Sequence, residues 1–244
     1  MADFRKEYLG NDVSVVVSDQ HGFGTDAVLL ADFVSPKRKE NACDLGTGCG
    51  IIPMLWYRNG QAKKILGIEL QQQGYEQAVE SAKISKAEDK VTFMNLNLKD
   101  IRFVFDHGSM DVVSMNPPYK AADSGIKSSS KADLIARHEV ECNLWDITSA
   151  AAHLLNFGGR LCMCNRPERL CDTIVAMKEA GIEPKRLRFV AKRPDTRPWL
   201  FLIEGKKGSK PFLDVEPMLV MYNDDGELSE EVMKIYGEYK ENVK

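Results

Sequence analysis

The chain has no apolar run long enough to span a bilayer, which argues against a helical membrane anchor within it. Its opening, Met1-Ala-Asp-Phe-Arg-Lys-Glu7, lacks the apolar core of a secretion signal. Nothing repeats at a fixed period, and no Pro/Ser-rich linker interrupts the 244 residues. They read as one α/β unit: residues 1–36 a lid-like hairpin element and helix, 37–210 the core, 211–244 an acidic extension. An excess of positive charge is also missing. The net is −3, so there is no global attraction to nucleic acid. The six cysteines (43, 49, 142, 162, 164 and 171) show no paired metal-ligand spacing. No metal is expected, and they read as buried, reduced thiols of a cytosolic protein. Cys162 and Cys164 alternate within a strand pattern, so both thiols should face one side. Neither the G-x-G-x-x-G dinucleotide fingerprint nor the Gly-Lys-Ser/Thr of a phosphate loop is present.

What is present is a tetrapeptide, Asn116-Pro117-Pro118-Tyr119, after the apolar run Met110–Met115. An Asn amide oxygen and a Pro-stiffened carbonyl can together accept both hydrogens of one planar amino group, with a Tyr ring to stack on its plane. The plain alternative is a strand-terminating turn. Upstream stands Asp44-Leu45-Gly46-Thr47-Gly48-Cys49-Gly50, an apolar strand ending in an acid, then closely spaced glycines, then a helical pattern. Glycine lets the backbone approach a ligand without a Cβ in the way, and open α/β sheets bind ligands at such strand ends. A further strand, Lys64–Leu70, carries Glu69 about twenty positions on, suited to ribose hydroxyls.

Strand and helix patterns alternate along the chain. Val13–Val17 reads as a strand, Thr25 as the N-cap of a helix to about Val34, Ala42–Leu45 as a strand and Gly50–Asn59 as a helix. Ile65–Leu70, Val91–Asn95, Met110–Met115 and Arg160–Asn165 read as strands, with helices at Gln72–Ser85 and Pro167–Ala180. A helix is expected from Ser130 to Leu155, with Asp146 or Thr148 as breaks. Leu187–Ala191 and Trp199–Glu204 close the pattern as a pair joined by Arg193–Pro198. Alternation of this kind predicts a mostly parallel sheet with helices on both faces.

The order D-x-G-x-G-x-G, acidic strand end, N-P-P-Y resembles the class I S-adenosylmethionine-dependent amino-methyltransferases. Gln20-His-Gly-Phe23-Gly24-Thr25-Asp26 through Phe33 is similar to the opening segment of the bacterial tRNA(Val) adenine-N6 methyltransferases. So are Ala136-Arg137-His138-Glu139, Leu200–Gly208 and Met221–Gly226. The resemblance implies a Rossmann-like sheet of seven strands, one antiparallel, and S-adenosylmethionine as cofactor. It implies transfer to N6 of the adenosine 3′ of the anticodon, with tRNA as partner to a monomer or weak homodimer. By that resemblance Asn116, Pro117, Pro118 and Tyr119 are catalytic. Thr25, Asp44, Gly46, Thr47, Gly48, Gly50, Glu69, Leu70, Asn97, Leu98 and Asn116 then bind the cofactor. Asn97 stands where the family usually has an Asp for the adenine amino group, with Asp100 nearby. Thr25 and Asp26 match a motif that approaches the cofactor's methionine end.

The stretch after Tyr119 is small, polar and basic, as suits a substrate-contacting loop. Lys120, Lys127, Lys131 and Arg137 are expected to meet RNA there, along with Tyr119. Lys185, Arg186, Arg188, Lys192, Arg193, Arg197, Lys206, Lys207 and Lys210 cluster against only Asp195 and Glu204. Lys192 and Arg193 are the expected phosphate contacts of this cluster, whose alternative is a solvated surface. Two other functions share the core motifs: protein-glutamine methylation, since the same tetrapeptide can hold an amide, and a non-catalytic RNA-binding module. The glutamine enzymes usually carry an N-terminal helical domain, for which the position of the Gly-rich motif leaves no room.

Overall fold

Short runs of apolar residues flanked by glycines and acids form buried parallel strands, because helices cover both faces and no alternation with polar residues is required. The computed structural model describes residues 4–19, 21–117 and 143–242. Its elements are β1 (Arg5–Gly10), β2 (Val13–Val17), α1 (Thr25–Val34), β3 (Asn41–Leu45), α2 (Ile51–Arg58), β4 (Lys64–Glu69) and α3 (Gln72–Ile84). β5 (Val91–Asn95), α4 (Ile101–Val104), β6 (Met110–Met115), α5 (Leu144–Leu154), β7 (Leu155–Asn165) and α6 (Leu170–Glu179) follow. The chain continues through β8 (Ile182–Ala191), β9 (Leu200–Lys207), β10 (Asp214–Val215), β11 (Leu219–Val220) and α7 (Glu230–Tyr236).

The main sheet runs β10-β8-β9-β7-β6-β3-β4-β5, with β11 also paired to β8. The expected seven strands are β5-β4-β3-β6-β7-β9-β8, in which β9 alone is antiparallel to its neighbours. The tail adds β10 and β11 as two-residue parallel strands on β8. One face packs α1, α2, α3, α7 and the β1–β2 hairpin over Trp56, Leu29, Leu30 and Met54. The other packs α4, α5 and α6 over Leu45, Ile68, Leu161 and Ile203. Trp56, fully buried, donates Nε1–H to the Ala31 carbonyl at 3.1 Å, so its one polar atom is satisfied in the core.

The hairpin turns at Asn11-Asp12, both at positive φ (51° and 59°), a conformation these two side chains tolerate better than most. It does not join the main sheet. Instead α3 and its C-cap offer a row of buried polar side chains at helical spacing, Gln77, Ser81 and the capping Ser85. Val16 N–H donates to Ser81 Oγ at 2.9 Å, Ser14 N–H to Ser85 Oγ at 3.0 Å, and Gln77 Nε2 to the Val16 carbonyl at 3.0 Å.

Three expectations need adjustment. Gly24 rather than Thr25 is the N-cap of α1, with no side-chain cap bond. Asp146 does not break a helix. With Asn143 it forms a capping box that begins α5, and the earlier part of the helix expected from Ser130 lies outside the described residues. β7 and β8 start before their sequence signals because Gly158-Gly159 and Pro184 stand at register shifts, where weak strand formers are tolerated.

Candidate active site

Chain order leaves β3 outward through β4 and β5, then returns to the other side of β3 as β6. This reversal opens a crevice at the strands' carboxyl ends, the usual ligand position in such sheets. Leu45 pairs with Met115, so the glycine loop after β3 and Asn116 after β6 are neighbours. Asp44 on β3 is almost fully buried, and its Oδ1 accepts from Ser114 Oγ at 2.6 Å. Burial pushes its carboxyl up to about 7; the Ser114 and Thr47 hydroxyls pull the other way, and Glu69 adds to the rise.

Gly46 and Gly48 both sit at positive φ (62° and 56°). A Cβ at Gly48 would meet nothing within 4 Å, so one side of the loop is open to a ligand. Gly50 serves packing instead, since a Cβ there would lie 2.8 Å from the Phe93 ring. Thr47 N–H donates to the Ile68 carbonyl at 3.0 Å. Glu69 closes the loop: Oε2 accepts Gly48 N–H at 2.7 Å and Oε1 accepts Gln71 N–H at 2.8 Å. Each oxygen keeps a second lone pair for a hydroxyl. Leu70 follows, exposed, and Asn95 Nδ2 holds the Glu69 and Leu70 carbonyls at 2.9 Å each. Asn97 Oδ1 caps the short helical turn Leu98–Asp100 by accepting Lys99 N–H at 3.0 Å, which leaves its amide Nδ2 available to a ligand acceptor.

Asn116 is held at both ends of its amide. Nδ2 donates to Asp26 Oδ2 at 3.2 Å, and Oδ1 accepts from Cys164 Sγ at 3.1 Å. Thr25 lies beside Asp26 at the start of α1, and its Oγ1 accepts from Tyr236 Oη at 3.0 Å. Pro117 is buried next to Asn116. Pro118, Tyr119, Lys120, Lys127, Lys131 and Arg137 lie outside the described residues.

A family model described as the methyltransferase small domain matches residues 11–180, which take in the glycine loop, Glu69 and Asn116. The chain belongs to this methyltransferase family. Among its relatives is a tRNA1(Val) (adenine(37)-N6)-methyltransferase of Histophilus somni, 31% identical over 139 residues. That match spans 57% of this chain and 58% of the relative. Proteins of the same name from Phocaeicola vulgatus (27% over 183 residues, 75% of this chain and 76% of the relative) and Porphyromonas gingivalis (24% over 223 residues, 87% and 86%) align over more of their length. Among solved structures, a predicted O-methyltransferase from Agrobacterium tumefaciens superposes with a TM-score of 0.70 at 21% identity, covering 87% of this chain and 95% of the other. Geranyl diphosphate C-methyltransferase from Streptomyces coelicolor gives 0.56 at 16%, covering 74% and 78%. The Rossmann-like methyltransferase fold is therefore shared across this group.

The crevice of this chain has a basic flank. Phe201 pairs with Asn165 and Leu200 with Val190, so the turn from Lys192 to Trp199 rises at the same sheet edge as Asn116. Lys192, Arg193 and Arg197 are exposed there. The rest of the expected cluster is partly spent inside the fold. Arg186 pairs with Glu204 and Glu216, each at 3.3 Å, and Arg188 with Glu231 at 2.8 Å. Lys207 Nζ donates to the Leu155 carbonyl at 2.7 Å, and Lys185 Nζ to that of Lys210 at 3.1 Å. Beside the turn, Arg166 lies over the Trp199 ring at 5.4 Å and donates to its carbonyl at 3.0 Å. Neither residue stood out in the sequence, where nothing but the place of Arg166 after a strand end could have flagged it.

Cys162 and Cys164 do face the same side, with Met163 opposite. The expectation of buried thiols fails at Cys171, which is exposed on α6. Among the described residues there is no cluster of three or more His, Cys, Asp or Glu arranged to hold a metal, and no helix long and apolar enough to cross a membrane.

Proposed function

We propose that the chain methylates the exocyclic N6 of an adenosine in tRNA, the adenosine 3′ of the anticodon in a valine tRNA, as a cytoplasmic enzyme using S-adenosylmethionine. The observation that carries this reading is the placement of Asn116, whose amide stands at the end of β6 beside the glycine loop of β3. The names of the relatives support adenine in tRNA as the substrate. The cofactor fits the residues present: an open face at Gly48, a strand-end carboxylate on Glu69 for ribose hydroxyls, and the Asn97 amide for the adenine edge. When bound, it supplies an electrophilic methyl on a sulfonium.

The amine of adenine is a poor nucleophile because its lone pair is delocalised into the ring. Asn116 Oδ1 and the Pro117 carbonyl accept its two hydrogens and let the nitrogen pyramidalise toward the methyl. Orientation of this kind supplies several kcal/mol, up to about 7–11 in favourable cases. Tyr119 stacks on the base, worth roughly 1–3 kcal/mol. No strong general base is needed, since the proton becomes acidic only after transfer.

The test is methyl transfer from labelled cofactor to total tRNA of a modification-deficient strain, followed by nucleoside analysis. N6-methyladenosine is expected, and label appearing only in protein would favour glutamine methylation instead. Asn116→Ala is expected to abolish transfer while cofactor affinity holds. Near wild-type turnover in that variant would refute the mechanism.

A further inference from the structure

An amide presents an acceptor at one end and a donor at the other, and the reaction proposed above needs Asn116 to offer oxygen. A flipped amide would aim N–H at N–H. The choice is made by what the far end of the amide touches. Cys164 does not make it, because a thiol is a weak donor and a weak acceptor and tolerates either end. A carboxylate only accepts, so Asp26 Oδ2 at 3.2 Å admits the Nδ2 end alone.

Asp26 is itself held in place. It lies in the first turn of α1, where an acid suits the helix dipole, and its Oδ1 accepts Ala27 N–H at 3.0 Å. The N-cap before it is Gly24, where a Cβ would sit 2.6 Å from Asp26 Oδ1. The neighbouring Thr25 is tied to the C-terminal helix through Tyr236. The sequence resemblance placed this segment at the cofactor's methionine end, but the side chain of Asp26 reaches the reacting amide.

We propose that Asp26 is a positioning residue for methyl transfer: its carboxylate locks the Asn116 amide with Oδ1 toward the substrate amine and polarises it. The proposal rests on the reading of Asn116 as the amine acceptor. A charge-assisted bond at Nδ2 draws density through the amide onto Oδ1, making it a better acceptor as the amine nitrogen gains positive charge. Cys164 S–H occupies Oδ1 in the absence of substrate, and so weak a donor is readily displaced by an amine N–H.

The experiment exchanges donor and acceptor along this one contact. Asp26→Asn is isosteric but can donate to Oδ1 and so permits the flip. Its kcat for tRNA is expected to fall tenfold or more, with the dissociation constant for S-adenosylmethionine within twofold of wild type. Asn116→Asp sets carboxylate against carboxylate and is expected to lose at least a hundredfold. The double variant Asp26→Asn/Asn116→Asp restores one donor and one acceptor and is expected to regain tenfold or more over Asn116→Asp alone. A double variant no better than Asn116→Asp overturns the proposal. So does Asp26→Asn with weakened cofactor affinity and unchanged kcat, which would make Asp26 a cofactor ligand.

A substrate-free readout separates this from the function itself. The Asn116 side-chain amide resonance, identified by its disappearance in Asn116→Ala, is expected to move upfield in Asp26→Asn as the carboxylate bond is lost. An unmoved resonance overturns the proposal whatever RNA is methylated, whereas a wild-type protein inactive on tRNA with a resonance that moves overturns only the function.

Discussion

Two strand-end acids frame the crevice and are treated differently by their surroundings. Glu69 accepts two backbone N–H groups, whereas Asp44 accepts the Ser114 hydroxyl within the sheet. Burial therefore dominates at Asp44 and raises its carboxyl from the ordinary 3.8 to about 7. The consequence for stability has a definite sign. Between these values the unfolded chain has released a proton that the folded chain retains, so this group's contribution falls as pH rises and levels off above 7. Asp44→Asn keeps an oxygen for Ser114 and removes the titration. Relative to wild type, the variant is expected to gain stability steadily from pH 4 to 7, by a few kcal/mol in order of magnitude, and then hold a constant difference. Thermal melts across that range measure it. Parallel curves for the two proteins would show that Asp44 does not titrate there.

At the scale of elements, the hairpin depends on α3. Ser81 Oγ accepts Val16 N–H and donates to the Gln77 carbonyl at 2.7 Å, both buried. Ser81→Ala leaves the Val16 N–H unpaired, at about 1–3 kcal/mol. Urea unfolding is expected to show that loss, and amide exchange at Val16 is expected to quicken. Exchange unchanged at Val16 would mean that the hairpin docks through its apolar face alone. This arrangement also marks where the sequence was legible. Strands β3, β4 and β9, and the second halves of β6 and β7, are largely buried on both sides and read as apolar runs, and α1, α2 and α6 carry their stops in Pro36, Gly60 and Gly181. Arg5-Lys-Glu-Tyr8 gives no such signal, because β1 is largely exposed and takes its pairing from β2. Likewise β10 and β11, two residues each, follow from the edge of β8 and not from any pattern of their own. The places of the glycine loop, Glu69 and Asn116 at the ends of β3, β4 and β6 were legible because each closes an apolar strand pattern. The Asp26–Asn116 and Cys164–Asn116 contacts were not, since both arise only where α1, β6 and β7 converge.

Across the whole molecule, a net charge of −3 conceals a division of labour among the cations. The acidic tail returns to β8 and neutralises it, with Glu216 on Arg186 and Glu231 on Arg188. Lys185 and Lys207 cap carbonyls. Among the described residues of the cluster, those exposed at the crevice are on the β8–β9 turn, Lys192, Arg193 and Arg197, beside the Arg166–Trp199 pair. A single-stranded phosphate backbone neutralised by two of these cations releases counterions, with a slope of about 0.7 per contact in log affinity against log salt. Lys192→Glu/Arg193→Glu is therefore expected to weaken tRNA binding and to lower the salt slope by roughly 1.4, with cofactor affinity unchanged. Lys185→Ala, whose ammonium is already committed to the Lys210 carbonyl, serves as the control and is expected to leave both quantities alone. Equal losses in the two variants would indicate a diffuse field in place of defined contacts. Unaltered tRNA affinity after the double reversal would return the turn to an ordinary solvated surface and place RNA recognition elsewhere on the molecule.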